Sequence, residues 1–228
     1  MSISRLSPLS PPFRAVIFDL DGLMVNTEHL VFKAYQQLLE PHGLSLSEAD
    51  ARAMLGLDIE DTARYVIDKT GYPGSLADLV ETHYRRWLQV IDGELEPAPG
   101  LVPLIDYLER SGYKLAVASN SPLEYINHIL RAIRLSSHFG VVVGRDQVAR
   151  GKPGPDLYQM AAHWLGISPS QCLALEDSPV GMQSALAAGI TCVVISPEAF
   201  TEPQFAAAHA RYPSLIELLN DIDAIFVR

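Results

Sequence analysis

Carboxylates, a hydroxyl group and a lysine follow short apolar segments of this chain, and side chains of these types can act together in catalysis. In chain order they are Asp19, Asp21, Ser119, Lys152, Glu176 and Asp177. Because several like charges in one place repel one another strongly, a cation must neutralise them. Oxygen ligands without histidine or cysteine favour a hard cation, and Mg²⁺ best fits a site that also holds phosphate. The set therefore predicts a Mg²⁺-assisted transfer of a phosphoryl group to a carboxylate.

Each of these residues by itself has an ordinary structural explanation. Paired aspartates such as Asp19 and Asp21 are common on loops, and a lysine beside a proline is usually a solvated charge. Glu176 and Asp177 could simply begin a helix, because acidic residues favour helix N-termini. Their order along the chain, each after an apolar segment, is hard to explain by structure alone, so the functional hypothesis rests on the combination.

Five short apolar segments predict the strands that position these residues. They are Ala15–Phe18, Leu115–Ala118, Val141–Val143, Leu173–Leu175 and Cys192–Ile195. Amphipathic helices are predicted among the later ones, at Leu123–Ile133, Pro155–Leu165 and Val180–Ala188. Apolar strands that alternate with helices are typical of a parallel sheet covered on both faces. The predicted core is therefore a doubly wound α/β sheet, in which ligands bind beyond the carboxyl ends of the strands.

A long helical stretch interrupts this alternation between the first and second strands. Four helices are predicted there, at Glu28–Leu39, Ser47–Met54, Asp58–Lys69 and Leu76–Ile91. The segment Pro97-Ala98-Pro99-Gly100 marks the return to the core. The sequence thus predicts a core domain of residues 1–26 and 97–228 and an inserted helical domain of residues 27–96.

Composition limits the partners and the compartment. Seventeen basic and 27 acidic residues give a formal net charge of −10, with no basic face for nucleic acid or an anionic membrane. A small anionic metabolite stays possible, because local cations can override the net charge. Cys172 and Cys192 lie among apolar neighbours, which predicts buried, reduced thiols. Without a signal-like segment or a long apolar run, we expect a soluble cytoplasmic protein, and we assume a monomer.

Four segments resemble the motifs of the haloacid dehalogenase-like (HAD) phosphohydrolase superfamily. They read FDLDGLMVNTE, AVASNS, GKPGPDLY and LEDSPVGMQSALAAG. The chain is most similar to the β-phosphoglucomutase-like branch, in which a helical cap follows the first motif. The resemblance implies a Rossmann-like core, a cap that closes over it to exclude water, and a small phosphorylated sugar, polyol or other metabolite as substrate.

The resemblance also implies a role for each motif residue. Asp19 would be the nucleophile that forms an aspartyl-phosphate, and Asp21 would protonate the leaving group and then activate water. Three positions would hold the phosphate: Ser119, the backbone of Asn120, and Lys152. Four positions would bind Mg²⁺: Asp19, the carbonyl of Asp21, Asp177, and Glu176 directly or through water.

The resemblance leaves a phosphosugar mutase open as the alternative. The mutases carry a histidine where this chain has Val31, and a phosphate-binding arginine where it has Ile59. Acidic residues of the same cap loop would repel a second phosphate: Asp58, Glu60 and Asp61. Hydrolysis is therefore favoured, while His29, close to the expected histidine position, could partly substitute in a mutase.

Two further functions fit the sequence less well. Dehalogenation needs only the first aspartate, whereas a proton donor such as Asp21 is what an alkoxide leaving group requires. A non-catalytic phosphate-binding or regulatory module is the remote alternative. Such a module needs no insertion of seventy residues, and an inactive relative would have lost an acidic residue that this chain retains.

Overall fold

Six parallel strands form one sheet in the computed structural model, which describes residues 13–54, 57 and 59–226. The strands are β1 (Ala15–Phe18), β2 (Lys114–Ala118), β3 (Val141–Val143), β4 (Cys172–Glu176), β5 (Thr191–Ile195) and β6 (Ala210–Tyr212). Their order across the sheet is β3-β2-β1-β4-β5-β6. This is a doubly wound α/β sheet, so the predicted fold class is confirmed.

The central strand β1 has no solvent-exposed residue, in agreement with a sheet covered on both faces. Its register places Phe18 opposite Val117 of β2 on one side and opposite Leu175 of β4 on the other. The residues that follow these three strands therefore leave the same edge of the sheet side by side. This edge is the one that the sequence predicts to carry the chemistry.

Strand β6 was not among the predicted strands. It has only three residues, and the partly exposed Arg211 lies in the middle. Because β6 forms the edge of the sheet beyond β5, one charged side chain costs little there, and no apolar segment marks the strand.

The inserted stretch of residues 26–95 contains four α-helices within the described residues. They are α1 (Glu28–Leu39), α2 (Glu48–Met54), α3 (Ile59–Thr70) and α4 (Leu76–Glu94). The predicted bounds of α1 are confirmed, and the predicted bounds of α2, α3 and α4 differ from the observed ones by at most three residues at either end. The predicted first residue of α3, Asp58, lies outside the described residues. Ser75 caps α4 through a reciprocal capping box with Asp78. Buried side chains hold these helices together, among them Tyr35, which stacks on His83 with ring centroids 3.6 Å apart.

The chain divides into two compact units. One comprises Met1–Val25 with Glu96–Arg228, and the other comprises Asn26–Leu95. Within the first unit, the backbone N–H of Ala98 donates to the carbonyl of Met24 at 2.8 Å. The two ends of the sheet unit between which the helical segment is inserted are therefore hydrogen-bonded to each other.

Six further α-helices follow in the part of the sheet unit that the structure describes. They are α5 (Leu101–Arg110), α6 (Leu123–Ala132), α7 (Asp156–Leu165), α8 (Pro179–Ala187), α9 (Leu215–Asn220) and α10 (Ile222–Ile225). Both cysteines are buried and free, as predicted. Of the helices that the structure describes, none is both long and apolar enough to span a bilayer.

Candidate active site

The strand order reverses between β1 and β4, and acidic residues follow both strands. From β1 the chain proceeds to β2 and β3 on one side, and β4 begins the other half of the sheet. Asp19 directly follows β1, while Glu176 ends β4 and precedes Asp177. The backbone N–H of Asp19 donates to the carbonyl of Leu175 at 3.0 Å, which fixes the two strand ends beside each other. In open α/β sheets such a reversal is where ligands bind.

Lys152 lies between two of these carboxylates. Its Nζ donates to Asp19 Oδ1 at 2.5 Å and to Glu176 Oε1 at 2.6 Å. The side chains of Lys152, Asp19 and Glu176 are only 5%, 10% and 0% exposed, so the ion pairs are shielded from water. Burial alone would lower the pKa of Lys152, but the two carboxylates raise it above its usual value. The ammonium group is therefore a permanent positive charge with a third N–H donor for a further anion.

Tyr158 of α7 contacts both Glu176 and Lys152. Its hydroxyl donates to Glu176 Oε1 at 2.6 Å, and Lys152 Nζ lies 5.2 Å from the centre of its ring. Tyr158 is fully buried, and burial raises the pKa of its hydroxyl well above the usual value, so it stays a donor. The side chain thus fixes the orientation of Glu176.

Three carboxylates form a set of oxygen donors that could hold a metal ion. Among the described residues, Asp19, Glu176 and Asp177 each offer an oxygen, and these atoms lie within 4.8 Å of one another. Burial and the neighbouring carboxylate of Asp19 raise the pKa values of Glu176 and Asp177. This arrangement favours a bound cation, because Lys152 is a single charge among them, and oxygen-only ligands fit a hard divalent ion.

Asp21 has a different environment from the other acids. Its Oδ2 accepts a hydrogen bond from Ser121 Oγ at 2.9 Å, and its Oδ1 accepts one from the hydroxyl of Tyr125 at 2.6 Å. Burial raises the pKa of Asp21, while the hydrogen bonds from Tyr125 and Ser121 act in the opposite direction. Its side chain is not part of the metal-donor set, and the predicted role of its carbonyl oxygen as a ligand stays a prediction.

The two residues after β2 make contacts with the surrounding loops. Ser119 is buried, and its Oγ accepts from the backbone N–H of Ser121 at 3.0 Å, which leaves its own O–H as a donor. Asn120 Oδ1 accepts from the backbone N–H of Lys152 at 2.8 Å, and Asn120 Nδ2 donates to the Lys152 carbonyl at 3.3 Å. The side chain of Asn120 therefore fixes the backbone of Lys152, and the contact of Asn120 with phosphate is predicted for its backbone.

Two glycines lie against the carboxylates with no room for a side chain. A Cβ atom on Gly22 would lie 1.9 Å from Asp177 Oδ2, and one on Gly181 would lie 2.0 Å from both carboxylate oxygens of Glu176. Gly22 also has a φ of +89°, in the left-handed region that other residues rarely adopt. The close approach of backbone to carboxylate requires glycine at both positions.

The contact at Gly22 predicts a specific effect of Gly22→Ala. We expect the new methyl group to displace Asp177 and to weaken divalent-cation affinity by about tenfold or more, since one ligand loses its position. The affinity can be measured from the rise in the thermal unfolding midpoint as Mg²⁺ is added. Gly112→Ala is the matched control, because Gly112 has a φ of +82° but no distant atom within 4 Å of its Cβ position. If both variants respond equally to Mg²⁺, Asp177 is not a ligand.

Three residues of the site were not predicted from the sequence: Ser121, Tyr125 and Tyr158. Ser121 and Tyr125 are four residues apart, one helical turn, where the chain leaves β2 and enters α6. That spacing after a strand end is a usable signal for side chains on a common face. Tyr158 is part of the segment GKPGPDLY, but the sequence does not indicate the direction in which it points.

Comparisons with known proteins show what this chain is similar to. A family model described as haloacid dehalogenase-like hydrolase matches residues 16–195. The protein CbbY of Rhodobacter capsulatus is 33% identical over 213 residues, which cover 89% of this chain and 93% of that protein. A phosphorylated carbohydrates phosphatase of Thermotoga maritima is 30% identical over 176 residues, which cover 77% of this chain and 82% of that protein.

A solved structure is similar over almost the whole chain. The crystal structure of a β-phosphoglucomutase homologue from Thermotoga maritima superposes on this chain with a TM-score of 0.86 at 27% identity. The alignment covers 93% of this chain and 100% of that structure. With the family model matched across the sheet unit and the inserted helices, this chain belongs to the haloacid dehalogenase-like hydrolase family.

Proposed function

We propose that this protein is a phosphatase that hydrolyses phosphomonoesters of small sugars, polyols or related metabolites through an aspartyl-phosphate on Asp19. The observation that carries the proposal is the placement of Asp19 at the strand-order reversal, paired with the buried Lys152 and next to Asp177. The Thermotoga maritima relative is named as a phosphatase of phosphorylated carbohydrates, which supports this substrate class.

In the first step, Asp19 and Asp21 act on opposite ends of the bond that breaks. A carboxylate oxygen of Asp19 attacks phosphorus, and the bond between phosphorus and the ester oxygen breaks. The departing oxygen takes the electron pair of that bond and receives a proton from the carboxyl group of Asp21. The products of the step are the alcohol, the aspartyl-phosphate and an ionised Asp21.

In the second step, Asp21 reverses its role. Its carboxylate accepts a proton from a water molecule as the water oxygen attacks phosphorus. The bond between Asp19 and phosphorus breaks, inorganic phosphate leaves, and Asp19 is again a carboxylate. Asp21 has regained the proton that it donated, so the cycle balances.

The neighbouring groups hold the phosphate during both steps. The proposed donors are the Ser119 hydroxyl, the backbone N–H of Asn120 and the ammonium group of Lys152. We propose Mg²⁺ as the cation of the oxygen set, bound by Asp19, Asp177, the Asp21 carbonyl and Glu176 directly or through water. When bound, Mg²⁺ supplies positive charge that offsets the repulsion between phosphate and nucleophile. Residues 27–96 are proposed as the cap that selects the substrate, and residues 1–26 and 97–228 as the catalytic core.

Two positions of the helical unit favour hydrolysis over a mutase reaction. Val31 packs against the apolar core of that unit, and Ile59 is 66% exposed at the start of α3. Neither side chain can bind a second phosphate by charge. A mutase remains the alternative, because the similar Thermotoga maritima structure is described as a β-phosphoglucomutase homologue.

The deciding experiment resolves the products. The protein is incubated with Mg²⁺ and a panel of sugar and polyol phosphates that includes β-glucose 1-phosphate, and both free phosphate and isomerised sugar phosphate are quantified. Release of free phosphate from several members supports the phosphatase. Accumulation of glucose 6-phosphate without free phosphate would replace it with the mutase.

Removal of the metal gives a second test. A chelator should reduce phosphate release by at least about 10²-fold, because a cation that screens phosphate and nucleophile contributes several kcal/mol to the transition state. Activity should return when excess Mg²⁺ is added, and Ca²⁺, which is larger and less demanding in geometry, should restore less. Full activity in the chelated protein would refute the metal assignment.

A further inference from the structure

The carboxyl group of Asp21 is held by two hydroxyl donors, one on each oxygen. Tyr125 donates to Oδ1 at 2.6 Å and Ser121 donates to Oδ2 at 2.9 Å. Each carboxylate oxygen has two lone pairs, so one acceptor position remains on each oxygen after these bonds are made. The two bonds together fix the plane of the carboxyl group as well as its position.

The backbone holds the main chain of Asp21 in a turn. Asp21 lies in the turn after β1, where the N–H of Gly22 donates to the carbonyl of Val25 at 2.8 Å. The charged neighbours of Asp21 act in opposite directions, because Asp19 repels its carboxylate while Lys152 attracts it. Since these two charges oppose each other, the hydrogen bonds from Tyr125 and Ser121 set the orientation of the carboxyl group.

Tyr125, in contrast, is held firmly by α6. It is the third residue of that helix. The helix begins at Leu123, whose backbone N–H donates to Asp146 Oδ1 at 2.8 Å. The next turns bury Ile126 and Ile129 in the sheet unit. The hydroxyl of Tyr125 is thus presented from a packed helix, while Asp21 lies in a turn.

We infer that Tyr125, assisted by Ser121, is a positioning residue that holds the carboxyl group of Asp21 in the orientation needed for proton transfer to the leaving group. The inference rests on the proposed function, because orientation matters only if Asp21 transfers a proton. Tyr125 does not touch the reacting atoms in this role. It acts through Asp21, so its effect depends on how much the leaving group needs the proton.

The leaving group separates this role from a structural one. A sugar or polyol oxygen is strongly basic and requires a proton as its bond to phosphorus breaks, whereas 4-nitrophenolate leaves without one. The ratio kcat/KM reports the steps up to the first irreversible one, which is transfer to Asp19. Hydrolysis of the aspartyl-phosphate, which is common to both substrates, does not enter the ratio.

The experiment measures kcat/KM of Tyr125→Phe for a sugar phosphate that the wild type hydrolyses and for 4-nitrophenyl phosphate. We expect a decrease of about tenfold for the sugar phosphate and of less than about twofold for the aryl ester. Asp21→Asn should show the same selectivity with a larger decrease. Tyr212→Phe is the matched control, because it removes a 2.7 Å bond to Asp221 at the far edge of the sheet, and both substrates should be unaffected.

Ser121→Ala, which removes the second donor, should show the same preference for the aryl ester and provides a second variant if Tyr125→Phe does not fold. Equal losses with both substrates, or no loss with either, would overturn the inference while leaving the phosphatase intact. If the wild type releases phosphate neither from any sugar or polyol phosphate of the panel nor from 4-nitrophenyl phosphate, the proposed function is overturned, and the inference with it.

Discussion

Asp19→Asn should reduce phosphate release by about 10⁴-fold or more, with the fold preserved. An amide cannot replace the carboxylate as nucleophile, and loss of a covalent nucleophile typically costs this much. The amide has nearly the same shape, and Lys152 keeps its second partner, Glu176. Release of phosphate under saturating Mg²⁺ measures the activity, and the thermal unfolding midpoint reports the fold.

The control for this variant is Asp106→Asn on α5. Asp106 has a 47% exposed side chain and makes a long, 4.0 Å ion pair with Arg110, so its replacement should change neither activity nor stability measurably. Wild-type turnover in Asp19→Asn would exclude the aspartyl-phosphate and with it the proposed reaction.

Lys152→Met should have the second largest effect, on both turnover and stability. Methionine fills similar volume but leaves the carboxylates of Asp19 and Glu176 without their buried counter-charge, and breaking such a pair costs about 3–5 kcal/mol. Loss of a cation at the phosphate should lower turnover by about 10²–10³-fold. Chemical unfolding with and without Mg²⁺ gives the stability, and phosphate release gives the turnover.

Two further variants distinguish the loss of the buried ion pairs of Lys152 from the loss of any lysine charge. Lys33→Met removes an exposed ion pair with Glu94, and we expect it to cost less than about 1 kcal/mol. The double variant Lys152→Met/Glu176→Gln should recover part of the stability, because one unpaired carboxylate is gone, without recovery of turnover. A Lys152→Met protein as stable and active as the wild type would contradict the arrangement proposed for the site.

The sheet could be predicted because its strands are apolar on both faces. Val16 and Ile17 of β1, for example, are fully buried, and such residues form continuous apolar runs that stand out in the sequence. The same signal is absent at β6, an edge strand with Arg211 at its centre. Helix α5 was not predicted although its apolar residues recur at helical spacing; Pro103 lies within its first turn, where the missing N–H removes no hydrogen bond.

The convergence of the site residues could be predicted from the same apolar strand segments. Once parallel strands are assigned, Asp19, Ser119 and Glu176 must leave one edge of the sheet. The partners of each side chain could not be predicted, because they depend on how each helix is rotated against the sheet. Tyr125 reaches Asp21 only through the orientation of α6, and a periodicity argument places residues on a face without giving their contacts.

The hydrogen bond between Ala98 and Met24 has a consequence for how this family can diversify. This bond joins a residue just before the inserted segment to a residue just after it, and both belong to the sheet unit. The sheet therefore requires only that these two points of the chain lie side by side, whatever segment connects them. The entropy of closing a loop grows slowly, by about 0.6 kcal/mol for each doubling of its length. An insertion of another length or sequence at this point would therefore destabilise the sheet little, and recombination could exchange one inserted segment for another without disturbing the sheet.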